Sequence, residues 1–355
     1  MDLIDAATTV RKGEELDVAR IEEFIKDSIP GLEGSLKIHQ FPKGHSNLTY
    51  LLTIGNKELV LRRPPFGRKA KSAHDMSREY RILKALRPVY QYCPEPLVYS
   101  EDETIMGSPF YIMQKIEGII LRRDFPEGLT LAPSETKELY LKVLEVQYEL
   151  HTVDYVKIGL ENLGKPNDYI MRQVTGWCER YKAALTPDAP GAEKVMDWLT
   201  EHMPPDSKKP GIIHNDFKLD NIVLDKSDPM NIVGVLDWEM ATIGDPLMDL
   251  GSSLAYWIQN DDHPDMLAIR MMPTNAEGAP TRKELVKRYA LLSGLEIAGF
   301  DFYYCFGLFR LAAIAQQIYY RYYHGQTKDE RFKAMIIGVH VLVNAAQRTV
   351  AKSDS

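Results

Sequence analysis

The sequence predicts an α+β protein of two lobes: a small antiparallel sheet with one helix, then a larger, mainly helical lobe. Three observations predict it. Two β-like runs, YLLTI at 50–54 and ELVLR at 58–62, flank Gly55-Asn56, a dipeptide suited to a tight hairpin turn. Near residue 116 the texture changes, and beyond it helical periodicity dominates. One later segment breaks that periodicity with two further short β-like runs, NIVL at 221–224 and IVGVLDW at 232–238, separated by the turn-forming DKSDP.

Taken in order, the hairpin is followed by SREYRILKAL, 77–86, whose Tyr80, Ile82, Leu83 and Leu86 recur at helical spacing with Pro88 just beyond. SPFYIMQKIEG, 108–118, reads as a buried strand running into a polar link that ends at Gly118. The lobes are therefore placed at 1–113 and 119–355, with 114–118 as the link between them. The later lobe is carried by ETKELYLKVLEVQYELHTV, DYIMRQVTGWCERYKAAL and FDFYYCFGLFRLAAIAQQIYYRYY, all of helical period. No internal repeat or low-complexity tract interrupts them.

With 355 residues, 45% of them hydrophobic, the chain has ample material for a core. A net charge of −7 and the lack of a long Lys/Arg run leave no electrostatic footprint for nucleic acid. Cys93, Cys178 and Cys305 are far apart and odd in number, which fits neither a disulfide framework nor zinc-ligand spacing and points to a reducing compartment. The start, MDLIDAATTV, lacks the pattern of a signal peptide. The most apolar late run, Ala334–Ala346, is read as core helix, too short to span a bilayer and containing His340 and Asn344. The expectation is a cytoplasmic protein without a membrane or nucleic-acid partner, its oligomeric state open.

HNDFKLDN, 214–221, places His214, Asp216, Lys218, Asp220 and Asn221 between the apolar runs Ile212-Ile213 and Ile222–Leu224. Buried polar groups are costly unless paired or bound to an ion, so the cluster reads as a site. Kinase-type phosphoryl transfer needs a carboxylate near the attacking hydroxyl, a side-chain amide on magnesium and a second carboxylate on magnesium. Asp216, Asn221 and Asp237 supply that set, the first two separated by four residues and Asp237 ending the strand after the turn. Lys218 is placed to offset charge on the transferring phosphate.

HNDFKLDNIVLD followed by VLDWEMATIGDPLMDLG resembles the aminoglycoside phosphotransferase and choline kinase superfamily, which shares the protein kinase architecture. Together with FYIMQKIEGI and LVLRRPP it looks like the phosphotransferase domain that some proteins carry fused to acyl-CoA dehydrogenase domains. The match runs from about Gly44 to the last helices. It implies a protein-kinase-like fold, ATP and magnesium, Asp216 as catalytic base, Asn221 and Asp237 as metal ligands and Lys218 assisting at the γ-phosphate. Asp249 and His214 are expected to support the loop, outside catalysis.

In the small lobe, LVLR at 59–62 occupies the place of the V-A-I-K strand. The resemblance puts Val60 over the adenine and Arg62 at the α and β phosphates, with Glu79 pairing Arg62. The family's usual residue there is lysine, and arginine differs in its planar fork. Arg63 competes for the role. GHSNLTY, 44–50, resembles the loop over the phosphates, with Ser46 and Asn47 as its side-chain donors. The Gln114 carbonyl and Ile116 N–H match the adenine-binding link.

For the acceptor, a lobe that binds polycations needs acidic lining, yet after residue 251 there are twelve Lys plus Arg against ten Asp plus Glu. On a helix, Tyr303, Phe306, Arg310, Ile314, Gln317 and Arg321 share one stripe, readable either as an anion clamp beside an apolar wall or as a core helix with snorkelling arginines. Tyr169, Arg172 and Gln173 are candidates to face the same cleft. The expected activity is transfer of the γ-phosphate of ATP to a hydroxyl of a small molecule, favouring a hydroxy acid or hydroxyacyl thioester. An aminoglycoside or amino alcohol is the alternative acceptor, and a nucleotide-binding pseudokinase the alternative of another class. Protein substrates are disfavoured, because no A-P-E segment follows Asp237.

Overall fold

A computed structural model describes residues 7–41, 47–66 and 75–353. The chain divides into two compact units, one of Met1–Ile120, Ile158–Leu160 and Asn221–Met240, the other of Leu121–Lys157, Glu161–Asp220 and Ala241–Ser355. The β-like segment after the HNDFKLD stretch thus groups with the first unit.

In the first unit, α1 (Val18–Ser28) precedes β1 (Leu36–Gln40), β2 (Leu48–Ile54) and β3 (Lys57–Arg63), then α2 (Met76–Leu86), β4 (Pro96–Ser100), α3 (Glu103–Met106), β5 (Phe110–Gln114) and β6 (Ile119–Ile120). Five of these strands form an antiparallel sheet in the order β1-β2-β3-β5-β4. The β2–β3 hairpin is the one read from Gly55-Asn56, with Ile54 opposite Lys57. Gly55 has φ 57°, and a side chain there would run into the Glu33 carbonyl, so glycine is required at that turn.

Strand alternation decides which side chains reach the site. Leu59 and Leu61 of β3 face a core of Ile21, Ile25, Leu52, Phe110 and Ile112. Val60 and Arg62 face the other way, paired across the sheet with Met113 and Tyr111 of β5. The helix read at 77–86 is α2, capped by the Asp75 side chain on the Arg78 N–H, and it buries Glu79 on its inner side.

The unit is completed by β8 (Ile222–Leu224) and β9 (Ile232–Val235), a hairpin that pairs with β6 in a three-stranded sheet. The Leu236 N–H donates to the Asn221 carbonyl at 2.8 Å, extending the ladder by one step. Asn221 and Asp237 therefore stand at the same end of this hairpin.

The second unit contains α4 (Pro133–Thr152), α5 (Tyr169–Ala183), α6 (Glu193–Glu201), β7 (Gly211–Ile213), β10 (Thr242–Gly244), α7 (Pro246–Ala255), α8 (Pro264–Ala268), α9 (Arg282–Ser293), α10 (Phe300–Tyr323) and α11 (Met335–Ser353). Its only named sheet among the described residues is β7 with β10, Ile213 opposite Thr242. The HNDFKLD loop leaves directly from β7.

Helix α10 is buried almost all round from Phe302 to Ala313. It crosses α7 at backbone contact, because any side chain on Gly251 would meet the Tyr303 carbonyl and any on Gly307 the Gly251 carbonyl. Segment Glu330–Ser353 is long and apolar enough to cross a membrane by length and composition, which Ala334–Ala346 taken alone was not. One face of α11 nevertheless lies in the unit's core through Val339, Val343 and Ala346, the core role read from the sequence.

Candidate active site

The first unit gathers a buried cation among carboxylates. Arg62 Nη1 donates to Glu79 Oε1 at 2.5 Å, and Nη2 reaches Glu239 Oε2 at 3.2 Å and Asp237 Oδ1 at 3.4 Å. Burial opposes the guanidinium charge, but Glu79 and the other acids outweigh it and hold Arg62 well above its ordinary pKa. Glu79, fully buried, is pushed up by desolvation despite its partner. Arg63 points to the opposite face, donating to the Pro64 and Met106 carbonyls and lying 3.7 Å from the Phe66 ring centre. Strand period thus separates the two arginines, and Arg62 is the one that faces the acids.

Glu239 was not foreseen. Its carboxylate accepts from Arg62 and from Asn47 Nδ2 at 3.1 Å, and its carbonyl accepts from Arg78 at 3.3 Å. Asp237 itself has φ 68°, a left-handed conformation uncommon for a residue with a side chain. Such strain, about 1–3 kcal/mol, persists at positions where the surroundings impose it, commonly functional ones.

Arg62 faces three carboxylates, with the Arg78 guanidinium on the Glu239 carbonyl, and Asn221 stands at the same hairpin end as Asp237. Hard oxygen donors suit magnesium, which takes one or two protein ligands and completes its shell with phosphates and water. No group of three or more His, Cys, Asp or Glu poised to hold a metal exists among the described residues. The donor set fits a magnesium held jointly with a phosphate, not a caged metal. Val60 is buried in mid-strand, while Gln114 and Ile116 lie at and just past the end of β5, the Gln114 N–H donating to the Glu95 carbonyl at 2.8 Å. Ser46 lies outside the described residues.

The second unit holds the base candidate. Asp216 Oδ2 accepts from Lys218 Nζ at 2.8 Å, and Oδ1 accepts from the Tyr256 hydroxyl at 3.1 Å. The loop beneath is fixed from inside. Asp249 Oδ1 accepts the Asn215 N–H at 2.6 Å and Oδ2 accepts the His214 N–H at 3.2 Å. Behind it, Oδ2 also meets His151 Nε2 at 3.0 Å and Gln147 Nε2 at 3.1 Å. Burial works against the Asp249 charge, but the bonds and charge of His151, aided by His214 and Gln147, hold its pKa at about 2. His214 Nδ1 accepts the Asp216 N–H at 3.3 Å, which puts the ring proton on Nε2. Asn215 sits at φ 64°. Asp249 and His214 thus support the loop, as expected.

The α10 stripe is divided between the core and the surface. Arg310 is 3% exposed, its Nη2 donates to the Asn215 carbonyl at 2.8 Å, and its guanidinium lies 5.3 Å from the Trp177 ring centre. Arg321 is exposed near the other end of the helix, about 16 Å away at 1.5 Å per residue. Tyr303 is buried against Phe302 and Phe300. Arg172 is exposed and donates to the Asn167 and Lys165 carbonyls. The four substrate candidates are not brought together: the α10 interior takes Arg310 and Tyr303, and the surface takes the other two.

A family model for the phosphotransferase enzyme family matches residues 37–280. The chain belongs to that family. The phosphotransferase is 36% identical over 90% of its length to acyl-CoA dehydrogenase family member 10 of Mus musculus, and 34% identical over 90% of its length to acyl-CoA dehydrogenase family member 11 of Gallus gallus. It spans only 30% and 42% of those relatives. Among solved structures it is similar to a protein of Ralstonia eutropha assigned as an aminoglycoside phosphotransferase, at 30% identity and TM-score 0.80, covering 95% of this chain and 99% of that one. A spectinomycin phosphotransferase in complex with ADP and spectinomycin shares the fold, at 11% identity and TM-score 0.60 over 94% of this chain and 98% of the other. The two-lobed, protein-kinase-like α+β fold and the resemblance read from the two loop motifs both hold.

Two residues of the candidate site escaped the sequence. Glu239 follows Trp238 in VLDWEM, and no local spacing links it to Arg62 or Asn47. Tyr256 lies forty positions beyond Asp216, and no local pattern links the two.

Proposed function

We propose that this phosphotransferase moves the γ-phosphate of ATP to the hydroxyl of a small hydroxy acid or hydroxyacyl thioester. The acceptor oxygen forms a bond to the γ-phosphorus, the bond to the bridging oxygen breaks, and ADP leaves with that electron pair. Asp216 takes the hydroxyl proton. Lys218, paired with Asp216 here, exchanges that partner for the γ-phosphate as charge develops there. Arg62 binds the α and β phosphates and Glu79 holds it in place. Asn47 and Ser46 serve the phosphate loop, and Val60, Gln114 and Ile116 the adenine. Asn221 and Asp237 hold magnesium, which when bound offsets phosphate charge.

The observation that carries the acceptor class is the match of 90% of the chain to proteins named as acyl-CoA dehydrogenases. The near balance of cations and anions after residue 251 supports it, since a polycation pocket would need acid. A second reading, an aminoglycoside or amino-alcohol acceptor, is favoured by the likeness to the Ralstonia protein. Presence of Asp216, Asn221 and Asp237 together weighs against a pseudokinase. Three buried free cysteines fit the reducing cytoplasm proposed for it.

The test is a nucleotide-consumption screen of ATP and GTP against hydroxy acids, hydroxyacyl-CoA thioesters, sugars, amino alcohols and aminoglycosides. ATP consumption dependent on a hydroxy acid or its thioester is the expected result. A polycationic best acceptor overturns the acceptor class; nucleotide binding with no transfer to any pool overturns the enzyme reading in favour of the pseudokinase.

A further inference from the structure

We propose that Tyr256 is a positioning residue for the transfer reaction, fixing the plane of the Asp216 carboxylate through its hydroxyl. The inference rests on the reading of Asp216 as base. Tyr256 is the C-cap of α7, on a helix whose N-cap is Asp245 and which also carries Asp249. One helix therefore acts on the HNDFKLD loop twice: Asp249 holds its backbone at His214 and Asn215, and Tyr256 holds the side chain of Asp216.

The geometry is a closed triangle. The phenol hydroxyl lies 3.1 Å from Asp216 Oδ1, Lys218 Nζ lies 2.8 Å from Oδ2, and the same ammonium lies 4.9 Å from the centre of the phenol ring. Rotation of a carboxylate about its last torsion is soft and nearly two-fold, so donors on both oxygens are what fix its plane. Lys218 cannot hold that plane through the reaction if it turns to the phosphate. Tyr256 has no such second task, and its donation to Oδ1 leaves Oδ2 directed at the acceptor proton.

Two further observations support a donor role. Burial, then the negative charge of Asp216, push the phenol pKa up to about 12, so the hydroxyl keeps its proton at neutral pH. The ring also borders a cavity of about 30 Å³ lined by Tyr140, Phe217, Leu254, Met272 and Lys218. Packing on that side is incomplete, which leaves the hydrogen bond to direct the hydroxyl.

The experiment uses the full chain and Tyr256→Phe, Asp216→Asn and the double variant. Chemical denaturation of all four proteins gives a double-mutant cycle that reads the hydrogen bond without any acceptor. A coupling of roughly three- to tenfold in the unfolding equilibrium constant is expected. Turnover of magnesium ATP, with water and with the best acceptor from the screen, gives the functional readout. Tyr256→Phe should lower kcat about tenfold or more while the KM for ATP and for the acceptor stay within twofold, since alignment is lost and binding is not. Absence of coupling, an unchanged kcat, or a loss confined to KM each overturn the positioning role. Undiminished turnover by Asp216→Asn overturns instead the reading of Asp216 as base, whatever the cycle shows. The change removes one oxygen from a half-buried ring, and the denaturation curve itself reports whether Tyr256→Phe has folded.

Discussion

Arg62 and Glu79 form a buried ion pair at 2.5 Å across a gap of seventeen positions, one on the sheet and one on the helix that follows it. Both side chains are less than a tenth exposed. A pair so buried gains little net stability over an apolar pair of the same size, because desolvation consumes the Coulomb attraction. Its retention makes sense if the guanidinium is needed for another anion, and Asp237 and Glu239 on its other nitrogen show that it is shared.

Arg62→Ala is therefore expected to weaken magnesium ATP binding at least tenfold, read by calorimetric titration, and to destabilise the fold by about 3–5 kcal/mol by stranding Glu79. Arg62→Lys keeps the charge and should keep substantial activity. Arg62→Met combined with Glu79→Leu separates the two effects: stability should stay near wild type while nucleotide affinity still falls. Affinity equal to wild type in that double variant refutes the phosphate role.

Arg63→Ala provides the contrast. It loses bonds to two carbonyls and the Phe66 ring contact, which should cost about 1–3 kcal/mol of stability. Nucleotide affinity should change less than threefold. If Arg63 rather than Arg62 proves the sensitive position in titration, the assignment of faces on β3 is wrong.

Asp216→Ala should abolish transfer and leave nucleotide binding intact. The structure sharpens this: Lys218 is tied to Asp216 at 2.8 Å, so deleting the carboxylate releases a cation toward the phosphate and ATP affinity should hold or rise slightly. Turnover and calorimetry on one preparation check it. Near-normal turnover removes Asp216 from the chemistry.

What the sequence made legible follows from range. The β2–β3 hairpin, α2 and the β8–β9 hairpin are local objects, specified by a turn dipeptide, a 3.6 period and a short apolar run, and all three appear where read. Arg62 and Arg63 could not be told apart because both are buried, so alternation gave no polar face to fix the register. The α10 stripe left two readings open for a related reason: a helix buried around most of its circumference has no solvent side for a stripe to mark. Tyr256 and Glu239 meet their partners across 40 and 177–192 positions, distances at which spacing carries no information.

Arg310 now carries a different expectation from an anion clamp. Its bond to the Asn215 carbonyl helps hold the left-handed residue before Asp216, so Arg310→Met should lower kcat about tenfold with little change in acceptor KM. Arg321→Ala, on the exposed end of the helix, should leave both parameters within twofold. Steady-state kinetics with the acceptor from the screen decides, and a selective rise in acceptor KM for either variant restores the clamp.

Asp249 gives a pH prediction with a definite sign. Its pKa falls from an ordinary 3.8 to about 2 in the folded protein, so the native state binds this proton less readily than the unfolded chain. The stabilisation is complete above the unfolded value and is lost as pH drops from about 4 through about 2. A shift of that size corresponds to roughly 2–3 kcal/mol at neutral pH, of which about half is gone by pH 3. Asp249→Asn cannot titrate and cannot accept with both atoms, so one of the N–H groups of His214 and Asn215 loses its partner. Denaturation of wild type and variant at pH 7 and pH 3 should show a stability gap that narrows by about 1 kcal/mol in acid. A gap that stays constant or widens at pH 3 means that the Asp249 charge does not hold the loop, and that its hydrogen-bonding shape alone does.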